Sequence, residues 1–322
     1  MPMETTNARI NDSLVTEFVL VGFTTEPHLQ AFLFFAFLLS YILTLMGNLG
    51  LIILIFLNSC LHTPMYFFVG SLSFLDMWYS TVYTPRILAD CMVKSKIISY
   101  AACATQFFFS VFLAQSECFL LAVMAYDRYV AICNPLLYSS IMTRSFCFQL
   151  VAASYAAGFT NAIVHTSNTF HLHFCGDNII DHYFCDALPL MKMACDDTHV
   201  YNLILAITLG CNMVAITALI LGSYTAILAA IFCIHSHSGR HKAFTTCSAH
   251  LISISLFYGS IFIMYLQPSS QHIPDWDKVG ALFYTVVNPL VNPIIYSLRN
   301  KDVKKALKTA CSPQSECYAP LA

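Results

Sequence analysis

Residues 27–75, PHLQAFLFFAFLLSYILTLMGNLGLIILIFLNSCLHTPMYFFVGSLSFL, contain no Asp, Glu, Lys or Arg. A helix that crosses a bilayer needs about 20 mostly apolar residues. This stretch is too long for one helix, and Asn58, Ser59 and Pro64 divide it into one span and the start of another. Further charge-free runs occupy 97–116, 145–176, 198–239, 243–274 and 279–298.

The whole chain agrees with that reading. Of 322 residues 58% are apolar and 10% charged, against roughly 45–50% and about 25% in soluble domains. A net charge of −2 excludes a basic nucleic-acid binder. The runs predict an all-α membrane protein of seven spans, at about 29–57, 65–88, 98–127, 145–166, 199–233, 243–266 and 277–298. The expected organisation is a tail at 1–28, a seven-helix domain at 29–298, and a final segment at 299–322. Residues 1–28 lack the apolar stretch and small-residue cleavage site of a signal peptide.

Loops rich in Lys and Arg stay cytoplasmic. With the N-terminus outside, the inner face holds Arg128, Arg144, Arg240, Lys242, Arg299, Lys301, Lys304, Lys305 and Lys308, opposed only by Asp127, Asp302 and Glu316. That topology makes Asn11-Asp12-Ser13 an outward glycosylation acceptor. Of the 14 cysteines, Cys103, Cys175, Cys185 and Cys195 fall at the oxidising face, where two bridges and three pairings are open. Two bridges would fold the loop after the fourth span into a lid. Val303, Ala306, Leu307 and Ala310 form an apolar stripe beside lysines, predicting an amphipathic helix on the membrane lipid. Cys311 and Cys317 are candidate lipidation sites there.

Two blocks then carry a family resemblance. Met124-Ala-Tyr-Asp127-Arg128-Tyr129-Val-Ala-Ile-Cys133 closes the third span and Pro289-Leu-Val-Asn292-Pro293-Ile-Ile-Tyr296 the seventh. Together they resemble the rhodopsin-like G-protein-coupled receptors. Gly47-Asn48, Leu61-His-Thr-Pro-Met-Tyr-Phe-Phe68, Ser223-Tyr224, Lys242-Ala-Phe-Thr-Thr-Cys-Ser-Ala-His-Leu251 and Ser297-Leu-Arg-Asn-Lys-Asp-Val303 narrow this to the tetrapod-type vertebrate odorant receptors. The matching blocks run in order from about residue 14 to 310.

The resemblance implies roles. Arg128 pairs with Asp127 at rest and, beside Tyr129, meets a heterotrimeric G protein of the olfactory stimulatory type when active. Tyr224 and Tyr296 support the open form, His250 is a packing or switch group near Arg128, and Asn292-Pro293 kinks the seventh helix. Asn48, Asp76, Glu117 and Asn292 converge on a polar cavity with room for sodium; no other cofactor is expected. The ligand cavity is implied in the outer half of the bundle, lined by Ser110, Val111, Ala114, Gln115, Thr208, Asn212, Tyr258, Ile261, Phe262, Tyr265 and Thr285.

Ser110, Ala114, Glu117, Leu121 and Arg128 recur at helical steps, so one face of one helix joins cavity to cytoplasm over about 27 Å. None of the lining residues is charged, and amine receptors of the wider class carry Asp where Ser110 stands. The expected ligand is therefore a small neutral odorant with one polar group. Micromolar affinity needs about −8 kcal/mol. A ligand of about ten heavy atoms must then supply roughly −0.8 kcal/mol per atom, which leaves little for discrimination.

Other functions fit less well. The chain has no self-similar halves of the kind transporters show, and no Gly-x-Ser-x-Gly, His-Glu-x-x-His or phosphate loop of an enzyme. A non-olfactory chemosensory receptor is the nearest alternative. His171, His173, Cys175 and His182 have the side chains of a metal site, but bridges and loop contacts compete for them, and no metal is expected. Cys233 stands where many relatives carry a base.

Overall fold

A computed structural model of the chain describes residues 15–175, 177–233, 236–265, 274–299 and 301–311. The first two spans, α1 (Pro27–Leu57) and α2 (Pro64–Met92), each open on a proline. There the fixed φ suits the first turn and the missing N–H costs nothing. The third, α3 (Tyr100–Cys133), is capped by the Ser99 hydroxyl, which accepts the Ala102 N–H at 3.3 Å. After a short helix α4 (Tyr138–Ile141), Thr143 caps α5 (Arg144–Phe170) in the same way. A loop with the short helix α6 (Ala187–Lys192) leads to α7 (His199–Cys233) and then α8 (His237–Tyr265).

The seventh span is made of α9 (Pro274–Leu282), a π-helical turn (Phe283–Val287) and α10 (Asn288–Arg299). Pro293 lies inside α10, where it removes one ladder hydrogen bond. The last helix, α11 (Lys301–Cys311), buries Val303 and Ala306 and exposes Lys304, Leu307 and Lys308.

Seven long segments thus form the predicted bundle, with α3 packed on α2, α5, α7 and α8. Several helices run beyond the expected ends, while the fifth span matches its expected bounds, 199–233. The third continues from 127 to Cys133 and the second from 88 to Met92; Arg128 pairs there with Asp127, and Asp90 with Arg86. Among the described residues, five spans are long and apolar enough to cross a membrane by composition alone. Large side chains such as Phe32, Phe35 and Phe56 point away from the bundle, which is the lipid-facing pattern. At Gly158 on α5 a β-carbon would sit 2.8 Å from the Phe112 carbonyl oxygen on α3, so only glycine permits this close crossing.

A small sheet at the disulfide end was not foreseen from the sequence. Strand β1 (Glu17–Leu20) pairs antiparallel with β2 (Ile97–Ser99) and parallel with β3 (Ile179–Ile180). Phe18 and Leu20 are buried against Ile98, Ile180, Phe174 and Cys185. At the following turn Gly22 adopts φ +74°, and Lys96 Nζ donates to the carbonyls of Val21 (2.9 Å) and Thr24 (3.2 Å). The tail segment is therefore part of the lid.

Candidate functional site

The lid is stapled twice. Cys103, near the start of α3, joins Cys185, and Cys175 joins Cys195 within the loop; Cα separations are 5.6 and 5.8 Å. Of the three pairings open in the sequence, the fold selects this one. Gln106 Oε1 accepts the Cys185 amide at 3.1 Å, and the Lys278 ammonium donates to Asp181 at 2.8 Å. These contacts press Phe184, Asp186 and Ala187 over the bundle.

Beneath them lies a cavity of about 320 Å³, a size suited to one small ligand. Ser110, Val111, Ala114, Gln115 and Cys118 of α3 form one wall; Leu205, Leu209 and Met213 of α7, and Phe257 and Ile261 of α8, form much of the rest. Five of the predicted lining residues are thus brought together: Ser110, Val111, Ala114, Gln115 and Ile261. Four others are engaged next to that lining. Tyr258 donates to the Cys118 carbonyl at 3.4 Å, and Thr285 shares a 3.1 Å hydrogen bond with Tyr183. Thr208 meets His165 at 3.1 Å, and Asn212 donates to Asn161 at 2.8 Å. The side chains of Phe262 and Tyr265, like Asn11 and Cys317, lie outside the described residues, as does the Cys311 side chain.

Sequence reasoning missed Tyr79, Tyr83, His165, Asp186 and Tyr284 in the lining. Asp186 follows a predicted bridge cysteine, and that adjacency was the available signal. It changes the electrostatics, because the wall includes an ionisable group where the sequence suggested none. Burial pushes the Asp186 carboxyl up to about 6, countered by the Ala187 backbone amide and reinforced by Asp277. Nearby His182 is buried against Tyr183 and Phe184. Desolvation first, and then the Lys278 cation, lower it to about 3. His173 instead pairs with Asp196 on the surface, 3.0 Å away.

Below the cavity, the intramembrane acids are capped by amides. Asn292 Nδ2 lies 3.0 Å from Asp76, and Asn288 Nδ2 lies 2.8 Å from Glu117. Ser253 donates to Asn292 Oδ1 at 2.9 Å, and Asn48 Nδ2 donates to the Pro289 carbonyl at 2.9 Å. The Oδ1 atoms of Asn48 and Asn288 are buried without a hydrogen-bond partner. Asn288 was not foreseen.

At the far end of α3, Arg128 donates to Asp127 within a buried pair, and the Tyr138 hydroxyl donates to Asp127 at 2.8 Å. His250 lies nearby in α8, hydrogen-bonded to the Leu121 carbonyl and to Tyr224. Tyr296 is buried, and Tyr129 packs at the edge of the same core. A single helix therefore carries the cavity wall, a capped carboxyl and the arginine pair.

Comparison with known proteins places this architecture. The family model described as olfactory receptor matches residues 37–313. Human olfactory receptor 9G4 is 58% identical over 300 residues, covering 93% of this chain and 92% of its own length. Mouse olfactory receptor 5AP2 is 51% identical over 298 residues, covering 92% of this chain and 94% of its own length. The fold resembles squid rhodopsin at a TM-score of 0.71 and 17% identity, covering 94% of this chain and 90% of that one. With a seven-helix bundle, a stapled loop and a family match across most of its length, this multi-pass membrane protein belongs to the olfactory receptor family and is not an enzyme.

Proposed function

We propose that the chain is an odorant receptor of the plasma membrane, and by family of olfactory cilia, with its N-terminus and Asn11 glycan outside. A small neutral volatile enters the cavity and favours an arrangement in which Arg128 leaves Asp127 and engages a heterotrimeric G protein of the olfactory stimulatory type, raising cyclic AMP. Of the remaining predicted ligand residues, Thr208, Asn212, Tyr258 and Thr285 support the same chamber.

One observation carries this reading. Cys118 lines the cavity and its carbonyl accepts from Tyr258, while one turn further along α3 the Leu121 carbonyl is held by His250. The ligand chamber and the tether between α3 and α8 are thus adjacent. A ligand acts only if it binds the active arrangement more tightly than the resting one.

In the polar centre, two carboxyls close enough to interact and two unpartnered amide oxygens make an all-oxygen donor set. Such a set suits a hard cation, and Asp76, Glu117, Asn48 and Asn288 would hold sodium there, with Asn292 orienting Asp76. The bound charge would favour the resting arrangement.

The test is expression with the olfactory stimulatory G protein and a panel of neutral volatiles, read as cyclic AMP. A dose-dependent response to some member is expected. Silence to the whole panel from a surface-expressed receptor would reject the reading.

A further inference from the structure

The polar wall of the cavity is not neutral in its hydrogen bonding. We infer that Ser110, His165 and Asp186 turn acceptors to the cavity and that the preferred ligand is an alcohol or phenol whose hydroxyl donates to them. The inference rests on the cavity being the odorant site.

A hydroxyl has one hydrogen, and two of those nearest the ligand space are already committed. Ser110 Oγ donates to the Gln106 carbonyl at 2.6 Å. Its oxygen therefore meets the ligand space as an acceptor.

The opposite wall repeats the pattern. Thr208 Oγ1 donates to the Ile204 carbonyl at 2.7 Å, so toward His165 Nε2, 3.1 Å away, it can only accept. His165 must therefore carry its hydrogen on Nε2, and its Nδ1 is a bare acceptor, buried without a partner. A doubly protonated ring would instead bury an unpaired N–H and a charge. Asp186 is the third acceptor: its carboxylate carries no hydrogen and lines the same cavity. Gln115 offers both a donor and an acceptor from its amide and so discriminates little.

A ligand hydroxyl meets this wall with its hydrogen. A ketone, ester or ether of the same length brings only lone pairs and leaves the buried acceptors unsatisfied, which costs on the order of tenfold in affinity. A carboxylate ligand would face Asp186 and be rejected.

The experiment uses the full-length receptor in cells, with surface level measured for each variant. Chain-matched alcohols, methyl ethers, ketones and primary amines are compared by cyclic AMP dose response. The unaltered receptor is expected to favour the alcohol over the ether and ketone by about tenfold. Asp186→Asn places an amide N–H in the wall, and Thr208→Val frees the His165 ring to carry its hydrogen on Nδ1. In each variant that reaches the surface, the alcohol-to-ketone ratio should fall toward unity. A purely structural effect would weaken all ligands in parallel and leave the ratio unchanged. Equal potency of alcohol and ketone on the unaltered receptor, an amine more potent than the alcohol, or an unchanged ratio in a surface-expressed variant overturns the inference. A response to volatiles without donor preference sinks this inference alone; no response to any volatile sinks the receptor reading beneath it.

Discussion

The Tyr224 hydroxyl stands 2.8 Å from His250 Nδ1, and the other ring nitrogen of His250 stands 3.1 Å from the Leu121 carbonyl. A carbonyl only accepts, so Nε2 carries the hydrogen, Nδ1 accepts, and Tyr224 donates. One imidazole thereby clamps α7, α8 and α3 together a few residues from Arg128.

Releasing that clamp should favour the active arrangement. His250→Ala removes two buried hydrogen bonds, each worth roughly 0.5–1.5 kcal/mol, and is expected to raise ligand-independent cyclic AMP severalfold at equal surface level. Tyr224→Phe removes one, together with the hydroxyl expected to support the open form, and should give a smaller rise. A basal signal that stays flat or falls in His250→Ala would show that the clamp does not hold the resting form.

Arg128 is buried beside Asp127, and its proposed task lies in the active form. Arg128→Ala should abolish the odorant response while the receptor still reaches the surface and carries its glycan. Undiminished cyclic AMP from that variant refutes the role.

The lid should respond to acid in two opposed ways. His182 is held at about 3 when folded, against an ordinary 6.5. The unfolded chain takes up its proton first, so stability present above about 6.5 is lost as pH falls toward 3. Asp186 is raised from 3.8 to about 6, so the folded chain takes up its proton first, and stability is gained as pH falls through 6 toward 4. Thermal unfolding of purified receptor between pH 7 and pH 5 should show His182→Phe gaining stability on acidification and Asp186→Asn losing it. Parallel curves for the two variants would contradict the assignment.

The two bridges should differ in weight. Cys103–Cys185 closes 82 residues and Cys175–Cys195 closes 20, which in the chain-entropy account correspond to about 4.5 and about 3.3 kcal/mol. Cys103→Ser is therefore expected to reduce surface expression and melting temperature more than Cys175→Ser, and the reverse order would argue that entropy is not the dominant contribution.

Gly158 makes the α3–α5 crossing possible. A β-carbon there lies 2.8 Å from one backbone atom and 2.9 Å from another, and backbone cannot swing aside. Gly158→Ala should destabilise by roughly 1–3 kcal/mol, seen as a lower melting temperature; Gly210→Ala, with open space around it, serves as the control.

The seven spans, the position of Arg128 beside Asp127 and the four bridge cysteines were all legible in the linear chain. Hydrocarbon forbids unpaired backbone and unpaired charge, so charge spacing alone carries the helix count, and a local motif such as Asp127-Arg128 needs no distant partner to be recognised. The fold had to supply what depends on residues far apart in sequence. Strand Glu17–Leu20 has too few residues to announce itself and exists because Ile97–Ser99 and Ile179–Ile180 lie on either side of it. The pairing of the cysteines, the presence of His165 and Asp186 in the chamber wall, and the direction of each hydroxyl hydrogen along it were likewise settled only by packing. A hydrogen bond's direction depends on what each partner has already donated, and that is known only once the helices stand side by side.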